Sequence, residues 1–122
     1  PSSRRRAGSM HDALRLQPRP QEYPMPRIPT VYIIASKPRG TLYTGVTSDL
    51  VKRIWQHREG CADGFTKRYG ITRLVWYEQH GEMIRAIERE KVIKRLPRHR
   101  KIDLIRKSNP DWRDLWYAII ER

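Results

Sequence analysis

The sequence predicts a small α/β domain: a three-stranded, mostly antiparallel sheet flanked by helices, in the order β-β-α-β-α-α-α. Three observations carry this. Two short β-branched and aromatic runs flank the turn Lys37-Pro38-Arg39-Gly40. A third such run, Arg73–Gln79 (RLVWYEQ), stands between helical patterns. The remaining segments repeat apolar residues at helical spacing.

Residues 30–36 and 41–46 alternate apolar and polar side chains and read as two strands of a hairpin. In the turn, Pro38 fixes φ and Gly40 is free to take a positive φ. Thr47 or Ser48 then offers an N-cap, with Asp49 in the first turn of a helix reaching about Arg58. Residues 60–70 contain three glycines and read as a loop. After the third strand a longer helix runs from about Glu82 to Pro97, which cannot continue it. A shorter helix follows over about residues 99–107. Asn109-Pro110 supplies an N-cap with proline at the first helical position, predicting a final helix. In it Trp112, Leu115, Trp116 and Ile119 recur at helical spacing and read as core or interface.

A chain of 122 residues holds one modest core and not two. Its net charge of +13 attracts polyanions, above all nucleic acid or anionic membrane. No stretch approaches the roughly 18–20 apolar residues of a membrane span, and no signal-peptide core appears, so no membrane partner is expected. The lone Cys61 cannot form an intrachain disulfide, which fits a reducing, cytoplasmic setting. Residues 1–29 hold six of the nine prolines and six arginines and read as a mobile basic tail or linker. Part of it is expected to be foreign to the natural chain, since Met10 and Met25 both offer later starts. Residues 30–122 read as the folded domain and keep a charge of +9.

With Ser36 facing Thr41 across the turn, Ile34 lies opposite Tyr43 and Tyr32 opposite Gly45. Period-two alternation then puts Tyr32 and Tyr43 on one face as diagonal neighbours. On these residues alone they are a cross-strand aromatic pair or a pair of hydroxyls aimed at chemistry. Glycine inside a strand marks a close approach, and Gly45 is expected to provide one. On the first helix Leu50, Val51, Ile54 and Trp55 form the apolar arc. Arg53 and His57, an i, i+4 pair, fall at its edge, where a cleft wall would stand, while Lys52, Gln56 and Glu59 read as surface. On the long helix Met83, Ala86, Ile87 and Ile93 mark the inward stripe, and Glu90 falls within it. A carboxylate there needs a partner. That partner is Lys94 at i, i+4, Arg53, Arg89, or a hard cation such as Mg²⁺ or Mn²⁺ completed by water and phosphate.

Thr30-Val31-Tyr32, Tyr43-Thr44-Gly45, Arg53, His57 and Glu90, in this order and spacing, resemble the GIY-YIG nuclease superfamily, in particular its small single-domain bacterial branch. The likeness extends through residues 86–94 (AIEREKVIK) and the ending Asn109–Leu115 (NPDWRDL), covering about residues 30–117. One departure stands out: the first triplet reads TVY, keeping only the tyrosine. The missing glycine and isoleucine carry no chemistry, so activity is expected to survive.

The resemblance implies hydrolysis of phosphodiester bonds with one divalent metal ion. Glu90 would hold the ion, and Tyr32 and Tyr43 would line the nucleophile side, one of them acting as general base with its phenolate stabilised by nearby positive charge. Arg53 would clamp charge on the phosphoryl oxygens. His57 would move a proton or steady a tyrosine hydroxyl, and Thr47 could add a hydroxyl to the scissile phosphate. Gly45, Trp112 and Trp116 are structural.

The expected partner is nucleic acid, with DNA preferred. Residues 85–107 carry ten Lys and Arg against three acids. Arg89, Lys91, Lys94, Arg95, Arg98, Arg100 and Lys101 there are phosphate contacts or a solvated helical face. In the glycine loop Phe65 and Tyr69 accompany Lys67 and Arg68. That mix suits stacking and phosphate contact on a single strand, or else pins the loop to the domain. Without an attached recognition domain, the substrate is single-stranded, branched or otherwise exposed DNA, or a protein partner supplies targeting. A non-catalytic DNA- or RNA-binding module is the alternative; it has no need of a carboxylate facing a polyanion.

Overall fold

β1 (Thr30–Ala35) is the middle strand, and all six of its side chains are buried. It pairs antiparallel on one side with β2 (Leu42–Thr47) and on the other with β3 (Arg73–Gln79). The computed structural model describes residues 27–60 and 64–121, so nearly all of the expected N-terminal tail, and Cys61, lie outside the described residues. The predicted strand and helix types follow in the predicted order, with one addition and one shift.

The hairpin has the register read from the sequence: Tyr32 opposite Gly45, Ile34 opposite Tyr43, and Ser36 N–H donating to Thr41 C=O at 3.1 Å. The turn differs in one respect. Arg39, not Gly40, takes the left-handed conformation, with φ 59°. Strain of that kind persists where neighbours hold it. Here the Arg98 guanidinium donates to the carbonyls of Arg39 and Gly40, at 2.7 Å each.

Helices cover both faces of the sheet. One face buries Tyr32, Ile34 and Leu74 against Val51 and Ile54 of α1 (Leu50–Glu59) and Trp116 and Ile119 of α5 (Trp116–Ile120). The other buries Val31, Ile33, Ala35, Val75 and Trp76 against Ala86 and Ile93 of α3 (Met83–Arg95) and Ile105 of α4 (Arg98–Ser108). Each fully buried Ile or Leu contributes roughly 1.5–3 kcal/mol, so these two small clusters hold the domain. Val75 and Trp76 share a face because β3 carries a register shift where it passes Ile33 and Ile34. A bulge of this kind inserts one residue and turns two consecutive side chains the same way.

Asp49, not Thr47 or Ser48, caps α1, its carboxylate accepting Lys52 N–H at 3.2 Å. The glycine loop holds an additional short helix, α2 (Gly64–Arg68), closed by Ile71 N–H on Thr66 C=O at 2.9 Å. Its signal was the i, i+4 aromatic pair Phe65 and Tyr69.

The largest departure is at the C-terminus. Asn109 ends α4 instead of opening a helix. Its buried amide donates to Val75 C=O and Arg113 C=O and accepts Arg113 N–H, each at 3.0 Å. Trp112 then takes φ 54°, which no helix tolerates, and α5 starts only at Trp116. Trp112 and Trp116 are both core, as expected, but they enter opposite faces of the sheet. Their helical spacing has no helix behind it.

Candidate active site

The sheet sets the first two groups. Tyr32, one residue from the middle of β1, lays its phenol across the backbone of Gly45 on β2. A Cβ at position 45 would lie 2.5 Å from Tyr32 Cζ. Glycine is therefore required there by the ring and not by the backbone, since Gly45 has no positive φ. Tyr43, two residues before Gly45, shares that face and packs against the same cluster.

α1 supplies the next two. His57 was expected at the border between core and solvent; it lies inside, with 2% exposure. Its ring stands edge-on to both tyrosines, with centroids 5.8 Å from Tyr32 and 5.6 Å from Tyr43. Nε2 lies 3.0 Å from the Tyr32 hydroxyl and Nδ1 3.1 Å from Thr66 Oγ1. One turn earlier, Arg53 donates from Nε to the Tyr32 oxygen and from Nη1 to Gln56 Oε1, both at 3.3 Å.

Arginine only donates, so the Tyr32 oxygen accepts from Arg53 while it also meets His57 Nε2. Thr66 Oγ1 meets the other ring nitrogen, so both nitrogens of the buried imidazole have hydroxyl partners. Burial pulls the Arg53 pKa down, but hydrogen bonds and charge from Tyr32 and Tyr43 outweigh it and raise it above the ordinary arginine value. The guanidinium is thus a permanent charge facing both phenols.

Two members of this set were not read from the sequence. Gln56 reads as surface from its helical phase. Thr66 sat in a stretch read as loop, yet it is 1% exposed and is the one buried side chain of α2. Its only sequence signal was a small polar residue inside the Phe65–Tyr69 turn.

Thr47 lies just before α1, where its hydroxyl accepts Asp49 N–H at 3.0 Å. It lines a cavity of about 250 Å³ together with Arg27, Lys52 and Arg53. This basic hollow opens beside the guanidinium. Lys67 and Arg68 are exposed on α2, close to the tyrosines through Phe65, whose ring is 6.2 Å from that of Tyr43.

Glu90 sits on α3, 8% exposed, and its Oε2 pairs with Lys94 Nζ at 2.8 Å. Of the partners foreseen, Lys94 is the one found. α3 packs against β1 and β2, the strands bearing the tyrosines, but no hydrogen bond or ion pair joins Glu90 to Arg53. Among the described residues no three His, Cys, Asp or Glu side chains cluster into a protein cage for a metal. A single recessed carboxylate fits a hydrated Mg²⁺ or Mn²⁺, whose remaining ligands are water and substrate phosphate.

Of the other basic residues, Arg89 pairs with Glu78 at 2.9 Å and Arg98 holds the hairpin turn. Lys91, Arg95 and Arg100 are exposed, and Lys101 is half-buried.

The model of the GIY-YIG catalytic domain matches residues 28–103. The chain belongs to the GIY-YIG family. A UPF0213 protein of Clostridium perfringens is 41% identical over 75 residues, covering 62% of this chain and 80% of its own length. A UPF0213 protein of Staphylococcus saprophyticus is 37% identical over 75 residues, covering 62% and 90%. One of Aeromonas salmonicida is 26% identical over 93 residues, covering 75% and 68%. No solved structure matches. A GIY-YIG domain is nuclease-type and handles nucleic acid. Among the described residues no helix is long and apolar enough to cross a membrane.

Proposed function

We propose that this GIY-YIG domain is an endonuclease that hydrolyses DNA phosphodiester bonds with one Mg²⁺ or Mn²⁺, in the cytoplasm, on single-stranded or branched DNA. The observation that carries this is the Arg53 guanidinium held between two phenols by Tyr32 and Gln56. A binding module gains nothing from a cation locked against tyrosine hydroxyls, whereas a base that must ionise gains a great deal.

Burial divides the work of the tyrosines. Tyr32 is 1% exposed and already bonded to His57, so it holds Arg53 and does not meet water. Tyr43 is only partly buried and is the general base. As its phenolate, facing Arg53, it takes a proton from the attacking water. The water oxygen forms its bond to phosphorus, and the opposite P–O bond breaks. Arg53 also meets the phosphoryl oxygens with donors not used by Tyr32 and Gln56. Glu90 would hold the divalent ion, whose chemistry is to polarise the phosphate and take up charge on the leaving oxygen.

The test is cleavage of labelled single-stranded, duplex and branched DNA with Mg²⁺ or Mn²⁺, comparing the parent with Glu90→Gln and Tyr43→Phe. Metal-dependent cutting by the parent, lowered at least about a hundredfold in each variant, is expected. Binding by all three proteins with no cutting by any means a non-catalytic nucleic-acid-binding module. Tighter binding of RNA than DNA at fixed salt overturns the choice of DNA.

A further inference from the structure

We propose that Phe65 and Tyr69 form a stacking shelf for one unpaired nucleobase beside the bond that is cut, with Lys67 and Arg68 taking the phosphates that flank it. This rests on reading the neighbouring site as one that acts on nucleic acid. Large aromatic side chains on a small domain normally bury most of their surface, yet these two are 46% and 49% exposed. Thr66, turned inward to His57, is the buried anchor of α2, and Phe65 adds a ring contact with Tyr43.

The rings instead continue outward from the site. His57 meets Tyr43, Tyr43 meets Phe65 with planes inclined by 32°, and Phe65 meets Tyr69 at 5.0 Å between centroids. The Arg68 guanidinium lies 5.7 Å over the Tyr69 ring, so a cation sits against the outer aromatic of the shelf. Aromatic faces beside cations are the general chemistry of single-strand binding, because every base has a π face and every linkage a charge. A base stacked in a duplex has no free face to offer. Since Phe65 touches Tyr43, the occupant is a nucleotide adjoining the phosphate at Tyr43, and its seating sets which bond reaches the base.

The experiment reads stacking without needing cleavage. The parent chain in EDTA is titrated with single-stranded oligonucleotides carrying 2-aminopurine at successive positions, and fluorescence quenching and affinity are followed. One position is expected to quench strongly. In Phe65→Leu/Tyr69→Leu, which keeps apolar bulk against Tyr43, that quenching disappears and affinity falls about tenfold. Phe65→Tyr/Tyr69→Phe keeps both. Unchanged quenching in the leucine variant, or its loss in the aromatic swap, overturns the shelf. Adding Mg²⁺ to the parent separates the two readings. Quenching without cutting leaves the shelf standing and removes the nuclease, while cutting with quenching indifferent to the leucines removes the shelf alone.

Discussion

The Tyr32 oxygen receives the Arg53 Nε–H and lies 3.0 Å from His57 Nε2, so the seat of the guanidinium depends on a buried imidazole. That imidazole is itself aimed by Thr66. Replacing Thr66 by Val keeps shape but removes the hydroxyl that meets the buried Nδ1, a cost of about 1–3 kcal/mol. The imidazole then loses the contact that aims it at Tyr32. The expected outcome in steady-state cleavage assays is a kcat lowered about tenfold with KM little changed. Thr66→Ser, which restores the hydroxyl, should recover most of the rate, and a merely structural role for the residue would not show that rescue. The tyrosines, Arg53 and Glu90 were legible in the sequence because strand alternation and helical phase fix which face a side chain joins. Thr66 was not. A buried hydroxyl on a five-residue helix leaves no periodic trace, and its partner lies nine residues away.

Among the elements, the hairpin is readable down to its register, since a four-residue turn admits a single pairing. The C-terminal segment was misread for an equally physical reason. Asn followed by Pro is the usual opening of a helix, but a buried Asn109 finds better partners on β3. It takes the carbonyl of Val75 beside the register shift and ties the chain back through Arg113. Asp114 completes the clasp, accepting Leu74 N–H and the Arg58 guanidinium. The clasp therefore fastens α1, β3 and α5 together behind the site. Asn109→Ala removes three hydrogen bonds of one buried side chain and should lower unfolding stability by about 2–4 kcal/mol in urea denaturation. Asn109→Asp, which turns a carboxylate oxygen toward both carbonyls, should cost at least as much as Ala.

For the molecule as a whole, charge outweighs every single contact. Nine of the basic positions on α2, α3 and α4 read from the sequence as a field of phosphate contacts, Lys67, Arg68, Arg89, Lys91, Lys94, Arg95, Arg98, Arg100 and Lys101. The fold commits Arg89 and Lys94 to acidic partners and gives Arg98 to the hairpin turn. A single strand bridging about five of the remaining cations should show log K falling with log salt at a slope of about −3.5. Between 50 and 200 mM salt that is a loss on the order of a hundredfold, measurable by fluorescence anisotropy. Arg100→Ala should reduce the slope by about 0.7 without changing which sequences are bound.

β1 has a neighbour on each edge and a helical layer on each face, so Tyr32 stands in the best-protected strand of the chain. The tyrosine and the arginine it steadies are built like the anvil of a press. On the proposed function, a polymer that bends easily and bares its bases fits itself to the anvil, and a stiff, paired one must first be opened.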